Sequence, residues 1–283
     1  MKNDVNNCSN AAARGNTAAG MTPAAGDTQP HIRTKDVTAY LRHMERRIIH
    51  LVGERGVLGH WLTTLFAAAK VDYLLALYRV GALPDGRTVF PYITRTGLTI
   101  DAKVMAYGSD GHRLKIEDSG LKIQDSGDVT QSAQRTGNNL QSSIFNLQSP
   151  PVSWLHALDH MERPMPLPLF GEHLADALPF APLCLVESEK TALMAKLWRP
   201  DCTWLATGGK SCFTAERLRV LSGRTVIVWP DADAIGEWME TAATLGPALG
   251  IDFRFPATYL TRIREGPPKG DLADMIERSL RSL

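Results

Sequence analysis

Residues 182–283 are expected to fold as an α/β layer built on a parallel sheet, on three observations. Short apolar runs alternate with helical stretches, so successive strands need crossover connections. The runs are apolar throughout, as in strands covered on both faces. Each ends in polar or glycine-rich residues, where a strand stops. Upstream, a smaller α+β segment is expected, because helical periodicity there gives way to two strand-like runs joined by a turn.

In chain order, residues 1–34 are Asn, Ala, Gly, Thr and Pro with almost no large apolar side chains. Such a composition cannot offset its own ordering entropy, so a disordered tail is expected. From Val37, apolar residues at Tyr40, Leu41, Met44, Ile48, Leu51 and Val52 recur at helical spacing. A second helix is expected through Trp61, Leu62, Leu65 and Phe66, and a further turn or two over Val71 to Tyr78. The period then changes: residues 87–93 and 98–105 read as strands around a turn at 95–97. Residues 109–150 are polar and carry a near-duplicate, Leu114–Gly120 followed by Leu121–Gly127. Two copies are too few for a solenoid, and the segment reads as an inserted loop. Residues 151–181, with Pro164, Pro166 and Pro168, read as a linker. Beyond it, strands are expected at 183–186, 204–206, 226–229 and 251–255, with helices at 191–197, 215–221, 237–249 and 271–280.

Composition bounds the function classes. The 283 residues carry 31 Lys and Arg against 30 Asp and Glu, which excludes a polybasic tail. Locally, residues 35–108 hold ten basic against six acidic side chains, a modest lean that suits a nucleic-acid backbone. Cys8, Cys184, Cys202 and Cys212 show no CxxC spacing, so no zinc site is expected. Neither a basic-then-apolar leader nor a run of eighteen apolar residues is present, so a cytoplasmic protein without membrane contact is expected.

Ligands of an open parallel sheet bind beyond the carboxyl ends of its strands. Glu187 follows the first strand, Thr207-Gly208-Gly209-Lys210 the second, and Asp231-Ala232-Asp233 the third; Lys269-Gly270-Asp271 opens the last helix. In an extended backbone, Asp231 and Asp233 would share a face and converge on one cation, with Glu187 completing the set. Carboxylates held that close repel unless neutralised, and all-oxygen ligands suit Mg²⁺, with Mn²⁺ as a substitute. Alone, the paired aspartates are more often structural. Gly209-Lys210-Ser211 fails as a P-loop, since the required upstream glycine position holds Trp204. A Gly-Gly turn with a lysine still offers amides and charge to a phosphate, or is simply a helix entry with a solvated lysine. His156 and His173 read as satisfied or surface histidines, and Trp154, Trp198, Trp204 and Trp229 as core.

This order of motifs resembles the Toprim domain, shared by bacterial primases, type IA and type II topoisomerases and some nucleases. The likeness is greatest to primase-type Toprim proteins, including primase-like proteins of bacterial mobile elements. Their N-terminal subdomain carries a strand similar to Gly86-Arg87-Thr-Val-Phe90-Pro91-Tyr-Ile93, with Lys103-Val-Met-Ala-Tyr107 following as its partner. The resemblance covers roughly residues 57–108 and 151–280. It implies a Rossmann-like sheet with helices on both faces, Glu187 as general acid/base or metal ligand, Asp231 and Asp233 on Mg²⁺, and Lys269 and Asp271 as secondary contacts. It also implies single-stranded DNA or RNA and nucleoside triphosphates as partners, alongside a helicase or a zinc-bearing replication protein. Departures are the missing cysteine set of a zinc module and Ser188 where a glycine commonly follows the first glutamate. Three readings are open: primase-like nucleotide polymerisation, phosphodiester cleavage at the same site, and a non-catalytic nucleic-acid- or nucleotide-binding module.

Overall fold

The computed structural model describes residues 37–114, 151–177 and 180–282; the expected tail and most of the repeat-bearing insertion lie outside them. Two four-stranded sheets organise the chain. The first is antiparallel, in the order β1 (Gly81–Ala82), β2 (Thr88–Ile93), β3 (Thr99–Met105), β4 (Val152–Trp154). β2 and β3 form the expected hairpin, closed by a turn in which the Gly97 amide donates to the Thr94 carbonyl. Helices α1 (Val37–Ile49), α2 (Gly56–Leu65) and α3 (Ala68–Tyr78) precede the hairpin. α1 buries Tyr40, Met44 and Ile48 against Val89, Ala102 and Val104 on one face of this sheet. α3 runs for 11 residues, longer than the turn or two expected, because Val71, Leu74, Leu75 and Tyr78 sustain one apolar face.

Residues 151–181 do more than link. β4 pairs with β3 through Lys103↔Trp154, and the short helix α4 (Leu155–Leu158) follows it. Further on, Phe170 makes an antiparallel bridge to Ala206 in the second sheet.

The second sheet is wholly parallel, in the order β6 (Thr203–Ala206), β5 (Leu183–Val186), β7 (Thr225–Val228), β8 (Asp252–Arg254). Side-chain alternation divides its interior in two. Cys184, Val186, Trp204 and Ala206 face α5 (Glu189–Trp198) and α9 (Leu272–Arg281) in one apolar core. Leu183, Leu185, Leu205, Val226 and Val228 face α6 (Ala215–Leu218) and α7 (Ile235–Leu249) in the other. Helices thus cover both faces, as expected for a doubly wound layer. Besides the short α4, a second helix has no counterpart in the sequence expectation: α8 (Ala257–Arg264) lies between β8 and α9.

The two sheets share a core. Phe90 and Tyr92 of β2 pack in the same cluster as Trp204, Leu193 and α9, and the Tyr78 hydroxyl donates to the Trp204 carbonyl at 2.8 Å. The N-terminal sheet is therefore docked against the strand ends of the parallel one. Trp204 is fully buried as expected, but Trp198 is 40 % exposed at the end of α5, where it lines an open cavity with Tyr259 and Met275. Among the described residues, no helix is long and apolar enough to cross a membrane.

Candidate functional site

β5 is central, with β6 and β7 on either side, so the three expected strand-end motifs emerge next to one another. Glu187 leaves β5 directly. Its carboxylate accepts the backbone N–H of Lys210, while Oε2 is buried with no hydrogen-bond partner. Burial, then the Asp233 charge, pushes its pKa up to about 7. Asp231 follows β7, and its Oδ1 is likewise buried and unpartnered. Burial first, then Glu187, Asp271 and Asp233, hold this carboxyl well above the usual carboxylate range. Two shielded acceptors without donors, each beside other acids, make an environment that favours a proton or a cation.

The backbone around Asp231 is fixed from outside. The Tyr259 hydroxyl donates to the Pro230 carbonyl at 2.8 Å, and the Ala232 amide to the Gly270 carbonyl at 2.9 Å. The chain turns at once, with the Ala234 amide reaching back to the Asp231 carbonyl at 2.9 Å. Extended alternation therefore does not apply here: Asp231 lies in the shielded site, and Asp233 is exposed on the turn. Asp233 still contributes charge, since it raises both Glu187 and Asp231.

Asp271 is brought to the same place but with its oxygens engaged. It caps α9, taking the Asp274 amide at 2.8 Å in a capping box and the Thr191 hydroxyl at 2.9 Å. Burial and Asp274 raise its pKa. Lys269, two residues earlier, is exposed. Lys210 donates through Nζ to the Asp233 carbonyl at 2.6 Å and lies 3.4 Å from Glu237. Its ammonium thus braces the acidic turn, while its amide holds Glu187. The Gly208 amide is also occupied, by the Glu187 carbonyl at 2.9 Å. Two amides that the sequence offered to a phosphate are thereby directed to Glu187.

Gly208 has φ +86°, and a Cβ there would collide with the Tyr92 hydroxyl. Gly208→Ala is accordingly expected to destabilise by about 1–3 kcal/mol through strain and overpacking, read as a lowered midpoint in urea.

Sequence reasoning missed the residues beneath this turn. Lys103 of β3 lies 3.2 Å from Glu189 of α5 and donates to the Gly208 carbonyl at 2.8 Å. Tyr92 of β2 donates its hydroxyl to Glu189, and Arg217 of α6 donates to the Thr207 carbonyl. Burial opposes ionisation of Glu189, but the Lys103 charge and the Tyr92 hydroxyl outweigh it, so its pKa lies below the usual range. The available signal was a lysine and an aspartate at alternate positions of a fully buried strand, since such groups require partners. Asp101, the other of the two, accepts His156 Nδ1 at 2.5 Å and Arg163 at 3.3 Å, so His156 is the satisfied histidine expected.

Among the described residues, no three His, Cys, Asp or Glu side chains are grouped closely enough to cage a metal. The donor set nevertheless fits Mg²⁺, which keeps most of its waters and takes one or two carboxylates rather than a full protein cage. The two orphaned oxygens of Glu187 and Asp231 are the observation that meets this requirement.

A doubly wound layer with acids at adjacent strand ends, under a small antiparallel sheet, is the class these features define. The chain belongs to the family described as "Domain of unknown function (DUF6371)", whose model matches residues 57–232. That span includes Glu187, the 207–210 turn and Asp231. No curated protein matches the sequence. Among solved structures, the chain is similar to the Aquifex aeolicus primase (zinc binding and RNA polymerase domains), with 15% identity and TM-score 0.36 over 69% of this chain and 40% of that one. It is also similar to the DnaG catalytic core, with 13% identity and TM-score 0.42 over 85% and 76% of the two chains. The RNA polymerase domain of Mycobacterium tuberculosis primase DnaG gives 13% identity and TM-score 0.42 over 88% and 83%. The chain thus spans less than half the length of the Aquifex aeolicus protein.

Proposed function

We propose that the protein is a primase-like nucleic-acid enzyme that joins nucleotides in a Mg²⁺-dependent phosphoryl transfer, in the replication of a plasmid or other mobile element. The observation that carries this reading is the pair of buried, donorless oxygens on Glu187 and Asp231 at neighbouring ends of a parallel sheet. The resemblance of the strand-end motifs and of the 86–93 strand to primase-type Toprim proteins supports it. Glu187 and Asp231 would hold the cation, with Asp233 and Asp271 supplying charge around it. A divalent cation in such a site supplies charge neutralisation on phosphate oxygens and a template for in-line displacement. If Asp231 and its neighbours hold the cation without Glu187, the Glu187 carboxyl, its pKa raised by burial to about 7, would instead carry a proton as a general acid or base. Lys210, at the mouth of the turn, and the exposed Lys269 offer positive charge to a triphosphate or a strand backbone.

The same chemistry with water in place of a 3′-hydroxyl is phosphodiester cleavage, and it is the second reading. The test is incubation with single-stranded DNA, labelled ribo- or deoxynucleotides and Mg²⁺ or Mn²⁺, with products resolved on a denaturing gel. New short oligomers are expected. Shortened template without oligomers would replace the proposal with a nuclease, and neither product with a binding module.

A further inference from the structure

We propose that Lys103, Tyr92, Glu189 and Arg217 form a positioning unit by which the N-terminal sheet sets the conformation of the 207–210 turn, and through it the orientation of Glu187. The inference rests on the assignment of Glu187 to the site made above.

The chain of contacts is continuous. Lys103 is 4 % exposed and Glu189 1 %, so their ion pair lies in the interior between the two sheets. Lys103 and Phe90 are cross-strand partners, and Tyr92 follows two residues along β2, so Lys103 and Tyr92 reach Glu189 from one sheet face. From there the Lys103 ammonium donates to the Gly208 carbonyl at 2.8 Å. One residue earlier, the Thr207 carbonyl is held by Arg217, whose guanidinium lies 5.8 Å from the centre of the Tyr92 ring. The Thr207 hydroxyl closes the turn onto the Gly209 carbonyl at 3.0 Å. Three successive carbonyls are thus fixed, two by cations from outside the turn. The turn is tied to Glu187 by the Gly208 amide, which donates to the Glu187 carbonyl at 2.9 Å, and the Lys210 amide faces the Glu187 carboxylate.

A purely structural role explains this poorly. A buried ion pair is on average no more stabilising than apolar side chains of the same volume. What the pair supplies here is directional: the ammonium reaches the Gly208 carbonyl beyond the end of β6, where the Gly208 amide is still paired to Glu187 but its carbonyl has no backbone donor among the described residues. An apolar residue would leave that carbonyl without a donor.

Removing Lys103 alone would strand the Glu189 carboxylate, so the test uses Lys103→Met/Glu189→Gln, which deletes both charges and keeps a side-chain amide oxygen able to accept from Tyr92. Arg217→Gln, which frees Thr207 without orphaning an acid, serves as an independent second variant. Amide ¹H–¹⁵N spectra of the full chain are the primary readout. The resonances of Gly208, Gly209 and Lys210 are expected to shift or broaden in both variants while the remaining spectrum stays folded. In nucleotide polymerisation, kcat is expected to fall about 10- to 100-fold, with KM for nucleotide within about threefold, as misplacement without lost binding predicts. Unchanged amides at 208–210 in either folded variant would overturn the proposal. This readout needs no catalysis, so it decides the positioning role even if the wild-type protein makes no oligomers.

Discussion

Asp231→Asn is expected to do two opposite things: to raise the stability of the metal-free protein and to abolish Mg²⁺-dependent activity. Its carboxyl is shielded, has an oxygen without a donor, and faces the charges of Glu187, Asp271 and Asp233. Replacing it with a neutral amide removes that repulsion, which is worth on the order of 1–2 kcal/mol for partly buried like charges. In a chain of this size that corresponds to roughly 2–8 °C in melting temperature. Activity moves the other way, by at least about 100-fold, because an amide oxygen is a poorer ligand for a hard cation. A structural aspartate would give the reverse pattern of lower stability and retained activity. Asp233→Asn, on the exposed turn, is expected to leave stability nearly unchanged while lowering activity.

The second expected effect is a pH-dependent stabilisation by Mg²⁺. The pKa of Glu187 is raised from 4.5 to about 7 by burial and by Asp233. Between those values the folded chain holds more protons than the unfolded one, so stability falls as pH rises through this window. The loss is complete above about pH 7 and is on the order of 3 kcal/mol by linkage. Asp231 and Asp271 act in the same direction. Mg²⁺ should therefore raise the melting temperature strongly at pH 8 and little at pH 5.5. Calorimetry of wild type and Glu187→Gln side by side isolates the group, since other carboxyls such as Glu45 and Glu189 are shifted downward and oppose the trend. Equal Mg²⁺ stabilisation at both pH values would remove Glu187 from the site.

The parallel layer was legible because short apolar runs, each succeeded by a helical face, admit few other folds. Glu187 and Asp231 were legible for a related reason: once the strands are placed, their ends are placed. The path of the chain beyond a strand end was not legible. The turn from Asp231 to Ala234 breaks the alternation that was expected to pair Asp231 with Asp233, and only its hydrogen bonds reveal this. β4 is three residues long, too short for any period to register. α8 is polar on most of its surface, with only Tyr259, Leu260 and Ile263 buried, and it begins just after a proline. The Lys103–Glu189 pair joins residues 86 positions apart, which no local pattern encodes. A charged side chain within an apolar strand states that a partner exists, not which one.

The central claim, that the acids at the strand ends hold a divalent cation, is tested most directly by Mn²⁺ titration followed by electron paramagnetic resonance. Wild-type protein at pH 8 should remove the free Mn²⁺ signal saturably, Mg²⁺ should compete for the same site, and Asp231→Asn with Glu187→Gln should abolish the effect. Free Mn²⁺ that remains undiminished by the wild type, or is bound equally by the double variant, would contradict the account.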